Sequence, residues 1–252
     1  MTKTIQPLDI YKKLPRTNCG RCQAGSCMAL AVQFLRRMAP LSECREIDER
    51  SMREIEEMLS DTGDWKERRL KELFDEISVA GFSAVAGDIG ILIEGDLLKI
   101  VYMGREITLG PAGFKDELEI MDRLLVLMYI KKAGSGALSG KWTAFRDFKD
   151  GLMRSESFHG ACEIPLAKMF ERRREGVICS LTAAGAEKVK GFSTEYSYII
   201  YALPKLPMLV LLWPGDEEFG PDCKILLDST ADVFLDVEAL LYLGMALVRH
   251  LN

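Results

Sequence analysis

Hydrophobic positions change their spacing partway along this chain, and the change divides it. Met28, Leu30, Ala31, Phe34, Leu35 and Met38 recur at intervals of three and four, which predicts a helix over 27–38. Ser26 stands at the N-cap position and Pro40 follows the end. A short helix is expected over 8–14, between Pro7 and Pro15. Ile47, Met52, Ile55, Met58 and Leu59 form another helical stripe among the charges of Arg45–Glu57, the pattern of a solvated amphipathic helix. Asp61–Asp64 breaks it, and a further helix is expected at about 65–79.

Beyond that point the pattern shortens. Residues 86–94 and 97–103 are strand-like and joined by Gly95-Asp96, a hairpin signal; 106–109 extends the group and Gly110-Pro111 closes it. Helices are expected over 115–132, 141–150, 161–175 with Pro165 in the first turn, 177–190 and 237–251. Strands are expected over 196–203, 208–213 and 223–227; residues 133–137 and 151–160 read as loop and turn. Strands and helices fall in groups and do not alternate strictly. The expected fold class is therefore α+β: a small helical module over residues 1–60, then a mixed domain with antiparallel sheet and several helices over 61–252.

Composition excludes little. The chain has 252 residues, 48% of them hydrophobic and 28% charged, an ordinary globular balance. A net charge of −5 argues against nucleic acid or an anionic membrane as the main partner. The longest apolar runs, 124–130 and 206–213, fall far short of the roughly 20 residues that span a bilayer. Residues 1–13 carry no apolar signal core, so a cytoplasmic location is expected. Seven cysteines in such a setting favour metal or redox chemistry over a disulfide framework.

Four of the seven are grouped: Cys19, Cys22, Cys27 and Cys44, spaced C-x2-C-x4-C-x16-C. Three fall in one loop with Gly20 and Gly25, and the fourth returns after one helix and a turn. Cys27 would sit in a helical first turn, where the dipole favours a thiolate. Structural zinc usually takes two separated knuckles, often with histidine, whereas the only histidines here are His159 and His250. A compact three-plus-one set of thiolates is the habit of iron–sulfur clusters, with zinc the rival. Cys162, Cys179 and Cys223 are scattered and read as ordinary buried or half-buried thiols.

The residues around this set carry a resemblance. Leu14-Pro15, Thr17-Asn18-Cys19-Gly20, Cys22, Cys27-Met28-Ala29 and Cys44 resemble the four-cysteine 4Fe–4S domain family. That domain occurs in the large subunit of the corrinoid iron–sulfur protein and in the B subunit of the Rnf electron-transport complex. The resemblance covers residues 8–45. It implies one 4Fe–4S cluster on Cys19, Cys22, Cys27 and Cys44, passing one electron at a time. Residues from about 65 to 252 resemble the domain family DUF3786, often found in anaerobic bacteria and often fused to such a module. The carrying residues are Gly140-Lys-Trp142, Phe145, Pro165-Leu-Ala167, Phe170, Leu203-Pro204, Pro207, Leu212-Trp213, Gly215–Phe219 and Leu226-Leu-Asp228. This second resemblance implies no activity.

Chemistry in the second domain is sparse. Asp216, Glu217 and Glu218 follow one expected strand and Asp228 the next; they read as a polar turn or as an acid–base or metal group. His159 is a loop histidine or an axial metal or cobalt ligand, and His250 a cation at a helix C-terminus. Gly134-Ser-Gly136 follows a helix and reads as a linker, not a phosphate loop. Lys141, Arg146, Lys149 and Arg172–Arg174 read mostly as solvated surface.

The reading is thus an iron–sulfur protein moving single electrons to a redox partner, or to a cofactor held by the second domain. Two alternatives stand beside it. One is a corrinoid-associated protein of anaerobic one-carbon metabolism, with cobalamin as cofactor and a corrinoid protein as partner. The other is an enzyme using the acidic 216–228 region.

Overall fold

The computed structural model describes residues 5–22, 24–35, 39–60, 63–80 and 89–252. The chain divides into two compact units, Met1–Arg68 and Arg69–Asn252.

The first unit is helical: α1 (Pro7–Tyr11), α2 (Cys27–Leu35), a 3-10 turn at Leu41–Glu43 and α3 (Glu49–Ser60), followed by the start of α4 (Gly63–Ala80). Pro7 opens α1 at a position where its missing N–H costs nothing. The end of the helix expected over 27–38 lies outside the described residues. Ser26 caps α2 as expected, its hydroxyl accepting the Ala29 N–H at 3.1 Å. α3 is capped by Asp48, which takes the Ser51 N–H at 2.7 Å and its hydroxyl at 2.9 Å. Ile10, Leu14, Leu30, Ala31, Leu41 and Ile55 share one small core with Cys27 and Cys44. Glu54 on α3 accepts from Lys13 at 2.5 Å and Arg50 at 3.0 Å, tying α3 to the end of α1.

The second unit is α+β with two antiparallel sheets. The first sheet is the meander β1 (Leu92–Glu94), β2 (Leu97–Tyr102), β3 (Arg105–Gly110) and β4 (Gly113–Phe114). The second comprises β5 (Trp142–Ala144), β6 (Glu187–Lys188), β7 (Tyr196–Leu203), β8 (Leu206–Trp213) and β9 (Asp222–Asp228), in the order β5-β9-β8-β7-β6. Central β8 is buried along both faces, which is why it reads as a continuous apolar run and not as an alternation. The helices are α5 (Ile120–Lys132), α6 (Ser155–Phe158), α7 (Ile164–Arg172), α8 (Arg174–Ala183), α9 (Ala231–Phe234) and α10 (Val237–His250). Buried Asp122 of α5 accepts from the Tyr102 hydroxyl of β2 at 2.6 Å and pairs with Arg249 of α10, so one carboxylate ties three elements.

Several expectations need correction. Of the strand expected over 86–94, the described part is extended only from Leu92, after Gly90 at φ +74°; 81–88 lie outside the described residues. Gly110-Pro111 does not close the sheet but turns β3 into β4. The helix expected from 115 begins at Ile120, because the Lys115 N–H donates to the Thr108 carbonyl at 2.9 Å and Asp116 accepts the Thr108 N–H at 2.7 Å. The helix expected over 141–150 is instead β5 plus a 3-10 turn at Phe145–Asp147: Trp142–Ala144 pairs with the edge of β9. The helix expected over 161–175 is interrupted at Arg173, whose guanidinium donates to the carbonyls of Leu251 and Asn252. The helix expected over 177–190 starts earlier and stops at Ala183; Gly185 turns at φ +79° and Glu187–Lys188 joins β7 as β6.

Candidate metal centre

The local sequence explains how the four grouped cysteines meet. Asn18, Gly20 and Gly25 all have positive φ, at 48°, 68° and 73°, so the chain folds back on itself twice within the loop. A Cβ at either glycine would have open space around it, so backbone conformation is what calls for glycine there. The Asn18 side-chain carbonyl accepts the Cys27 N–H at 2.9 Å, pinning the loop to the first turn of α2. The Cys44 N–H donates to the Leu41 carbonyl at 3.0 Å, closing the 3-10 turn that carries the fourth thiol.

Cys19, Cys22, Cys27 and Cys44 line one cleft, with Asn18, Arg21, Leu30 and Arg45. Its atom-free space, mouth included, is about 290 Å³. Cys27 and Cys44 are buried, Cys22 is half-buried and Cys19 is exposed, so the cleft is apolar at its base and open at Cys19. All four thiols are free. The Arg21 N–H and then the Thr17 hydroxyl, both donating to the Cys19 sulfur, hold its pKa below the ordinary thiol value. Arg21 pairs with Glu46 beside the cleft. Among the described residues no three His, Cys, Asp or Glu side chains converge closely enough to hold a single metal ion.

The second unit's candidates are dispersed. Asp216 is an exposed turn residue that accepts the Glu218 and Phe219 N–H groups at 2.8 and 2.7 Å, which keeps its carboxyl below the usual range. Glu217 and Glu218 are exposed in the same turn. Asp228 stands at the far end of β9, about 20 Å of extended strand from Asp222. It is 1% exposed and receives the Ser139, Gly140 and Thr230 N–H groups and the Ser139 and Thr230 hydroxyls. Burial alone would raise its pKa; the Thr230 and Ser139 donors outweigh that and bring it to about 2. Asp228 is thus a structural clasp, and the four carboxylates form no common site.

His159 places Nδ1 2.7 Å from Glu163, and His250 places its own Nδ1 2.9 Å from the Ala246 carbonyl at the end of α10. Cys162 and Cys223 are fully buried, with pKa values pushed up by loss of solvation; Cys179 is exposed, against expectation, on the outer side of α8. Arg174 is not simply solvated either: its guanidinium lies over the rings of Phe170 and Tyr196, 5.4 and 5.5 Å from their centroids. Sequence reasoning missed Glu163, because nothing in His159–Glu163 shows that the carboxylate turns inward.

Comparison with known proteins matches both units. A family model described as "Domain of unknown function (DUF3786)" matches residues 81–250. The chain belongs to this family. As a DUF3786 protein it also carries a match to a model described as "Putative Fe-S cluster" over residues 14–45, a span that includes all four cleft cysteines. Curated relatives of this DUF3786 chain include acetyl-CoA decarbonylase/synthase complex subunit gamma of Methanothermobacter thermautotrophicus and of Methanocaldococcus jannaschii. The first is 32% identical over 56 residues, covering 22% of this chain and 12% of the relative. The second is 39% identical over 64 residues, covering 24% and 13%. Subunit gamma 2 of Methanosarcina thermophila is 28% identical over 133 residues, covering 52% of this chain and 25% of the relative. The chain thus spans a quarter or less of these relatives' length. No solved structure matches it. Among the described residues no helix is long and apolar enough to cross a membrane.

Proposed function

We propose that Cys19, Cys22, Cys27 and Cys44 hold one 4Fe–4S cluster, and that the protein passes single electrons to a redox partner or to a cofactor held by the second domain. The observation that carries this is four free thiols lining one cleft, inside the span matched by the iron–sulfur family model. We assign the cluster module to residues 1–60 and the DUF3786-like α+β domain to 61–252.

The donor set fits. In a cubane cluster each thiolate binds a different iron, so the ligands stand further apart than four ligands of one ion. Four thiols lining one cleft, with no histidine among its lining residues, are a donor set that suits such a cluster. Such a cluster exchanges one electron with little rearrangement. The chain supplies the setting. Asn18 and Ser26 fix the start of α2, and Leu30 and buried Cys27 and Cys44 keep water from one side. Exposed Cys19 marks the side from which an electron would enter or leave, and N–H and O–H donors to sulfur there set the potential. We place the protein in the cytoplasm of an anaerobic cell.

Anaerobically purified protein should be brown and should bleach reversibly on taking up one electron per cluster from a low-potential reductant. A cluster that is present but cannot be reduced and reoxidised without loss of iron would remove the electron-transfer role.

A second reading has its own support, the likeness to gamma subunits of the acetyl-CoA decarbonylase/synthase complex. It is a corrinoid-associated role in anaerobic one-carbon metabolism, with the cluster reducing cobalt in a bound or partnered corrinoid. Anaerobic titration with cobalamin, followed in the visible spectrum, decides it: no binding and no spectral change would sink the idea that this chain holds the corrinoid itself.

A further inference from the structure

The second unit contains a pocket that the proposed electron path does not use. It opens where β5 ends and the chain turns over at Phe145–Asp147, leaving Lys224 of β9 uncovered beside the turn that carries His159. Its cavity volume is about 380 Å³, within the range of small-molecule sites. Phe145 and Phe158 stack beneath it with centroids 4.3 Å apart, and both are buried.

The polar groups are organised around Glu163, whose side chain is 8% exposed. One carboxylate oxygen meets His159 Nδ1 at 2.7 Å and Lys224 Nζ at 2.9 Å; the other accepts the Ile225 N–H at 3.2 Å. Glu163 is thus buried and engaged by three protein donors, which makes it an organising group and not the first choice of ligand contact. It holds the Nδ1 proton of His159 and leaves Nε2 without a hydrogen-bond partner among the described residues, on a side chain that lines the pocket and is 42% exposed. Lys224 spends one of its three N–H groups on Glu163 and is 46% exposed. Arg146 lines the same pocket, and its nearest carboxylate, Asp147, is a loose 3.7 Å away. His159–Glu163 is a π-helical turn, a conformation that is rarely kept except where a site needs the altered side-chain placement.

Unspent donors on Lys224 and Arg146, a tautomerically fixed imidazole and an apolar floor make one constellation. We propose that this pocket binds a small organic oxyanion, its charged group between Lys224 and Arg146 and its body over Phe145 and Phe158, with His159 Nε2 as the hydrogen-bonding group that selects it. A divalent cation is disfavoured there, since two fixed cations face the space. Glu156 also lines the pocket, and its charge works against anion affinity. This inference is independent of the cluster assignment, so either can fail alone.

The chain has only two histidines, which makes the site directly observable. Full-length protein labelled with ¹⁵N-histidine, with His159 assigned through a His159→Gln variant, is titrated separately with benzoate and with inorganic phosphate. A saturable shift of the His159 Nε2 resonance is expected, with His250 unmoved. Saturation by benzoate alone identifies a carboxylate ligand, and saturation by phosphate alone identifies a phosphate. Arg146→Met and Lys224→Met should each weaken binding about tenfold or more, as expected for loss of a charged hydrogen bond. Lys224→Arg should retain most of it, and Glu156→Gln should tighten it. The Arg146 variant guards against misfolding, because that side chain is exposed and its ion pair with Asp147 is exposed and long, at 3.7 Å. No saturable shift with either anion at millimolar concentration, or an affinity in the Arg146→Met and Lys224→Met variants unchanged from that of the unsubstituted protein, would overturn the proposal.

Discussion

At the level of single residues, the chain places its strongest polar interactions where they fix backbone and not where they react. Asp228 is the clearest case. Its carboxyl titrates at about 2, below the ordinary value near 4, because folded donors hold the ionised form. A depressed folded pKa contributes stability that is fully present above the unfolded pKa and is lost as pH falls through the folded one. The contribution is therefore present above about pH 4, falls away through pH 2 and is gone only below it, and amounts to about 2 kcal/mol. Asp228→Asn should lower the urea unfolding midpoint at pH 7 and flatten its decline between pH 4 and pH 2. An unchanged pH profile in the variant would contradict the clasp. In the cluster module, Asn18→Ala removes the acceptor of the Cys27 N–H and should cost about 1 kcal/mol. It should also speed loss of iron to a chelator. Cys19→Ser should lower iron content, and with it only the stability that the cluster adds, because Cys19 is exposed, whereas Cys27→Ser alters both the ligand set and the buried core.

At the level of elements, legibility followed periodicity. α2, β7, β8 and α10 are near where their spacing put them, because each has a long, one-sided or fully apolar run that survives in the fold. The segments that were misread share a cause. Trp142, Phe145 and Phe148 stand at helical spacing, yet the edge of β9 offers Trp142–Ala144 a ladder, and Phe145 and Phe148 reach the core from the turn that follows. Lys115 and Asp116 have helical neighbours but are claimed by Thr108. In both, a partner distant in sequence outbid local propensity. The same limit hid the pocket: Glu163 and Lys224 are 61 residues apart and meet only through β9 and the π-helical turn. The cysteine set was legible because its spacing is local, three thiols in one loop, and needs only the short return to Cys44. Ile55 makes a prediction at this scale. It is the fully buried anchor of α3 in a small core, so Ile55→Ala should destabilise the module by about 2–5 kcal/mol, measured as a lower melting temperature of the first unit.

At the level of the whole molecule, two units of unequal size carry separate cores. The first core is small and includes two of the four cleft thiols, Cys27 and Cys44, so a cluster bound there, as proposed, would add to the module's stability. The second core is large, runs through both sheets and α5, α7 and α10, and has no such dependence. Calorimetry should therefore resolve two transitions in the loaded protein. Exposure to chelator and oxygen should lower the first and leave the second in place; a single transition that shifts as a whole would contradict separate stabilities.

The assignment of Cys19, Cys22, Cys27 and Cys44 to one 4Fe–4S cluster is the claim on which the rest turns. Iron, acid-labile sulfide and zinc analysis on anaerobically purified protein, with EPR of the reduced sample, tests it most directly. About four iron and four sulfide per chain and a reduced-cluster signal are expected, both lost when any one of the four cysteines is replaced by alanine. A colourless protein with about one zinc per chain and no sulfide would contradict it.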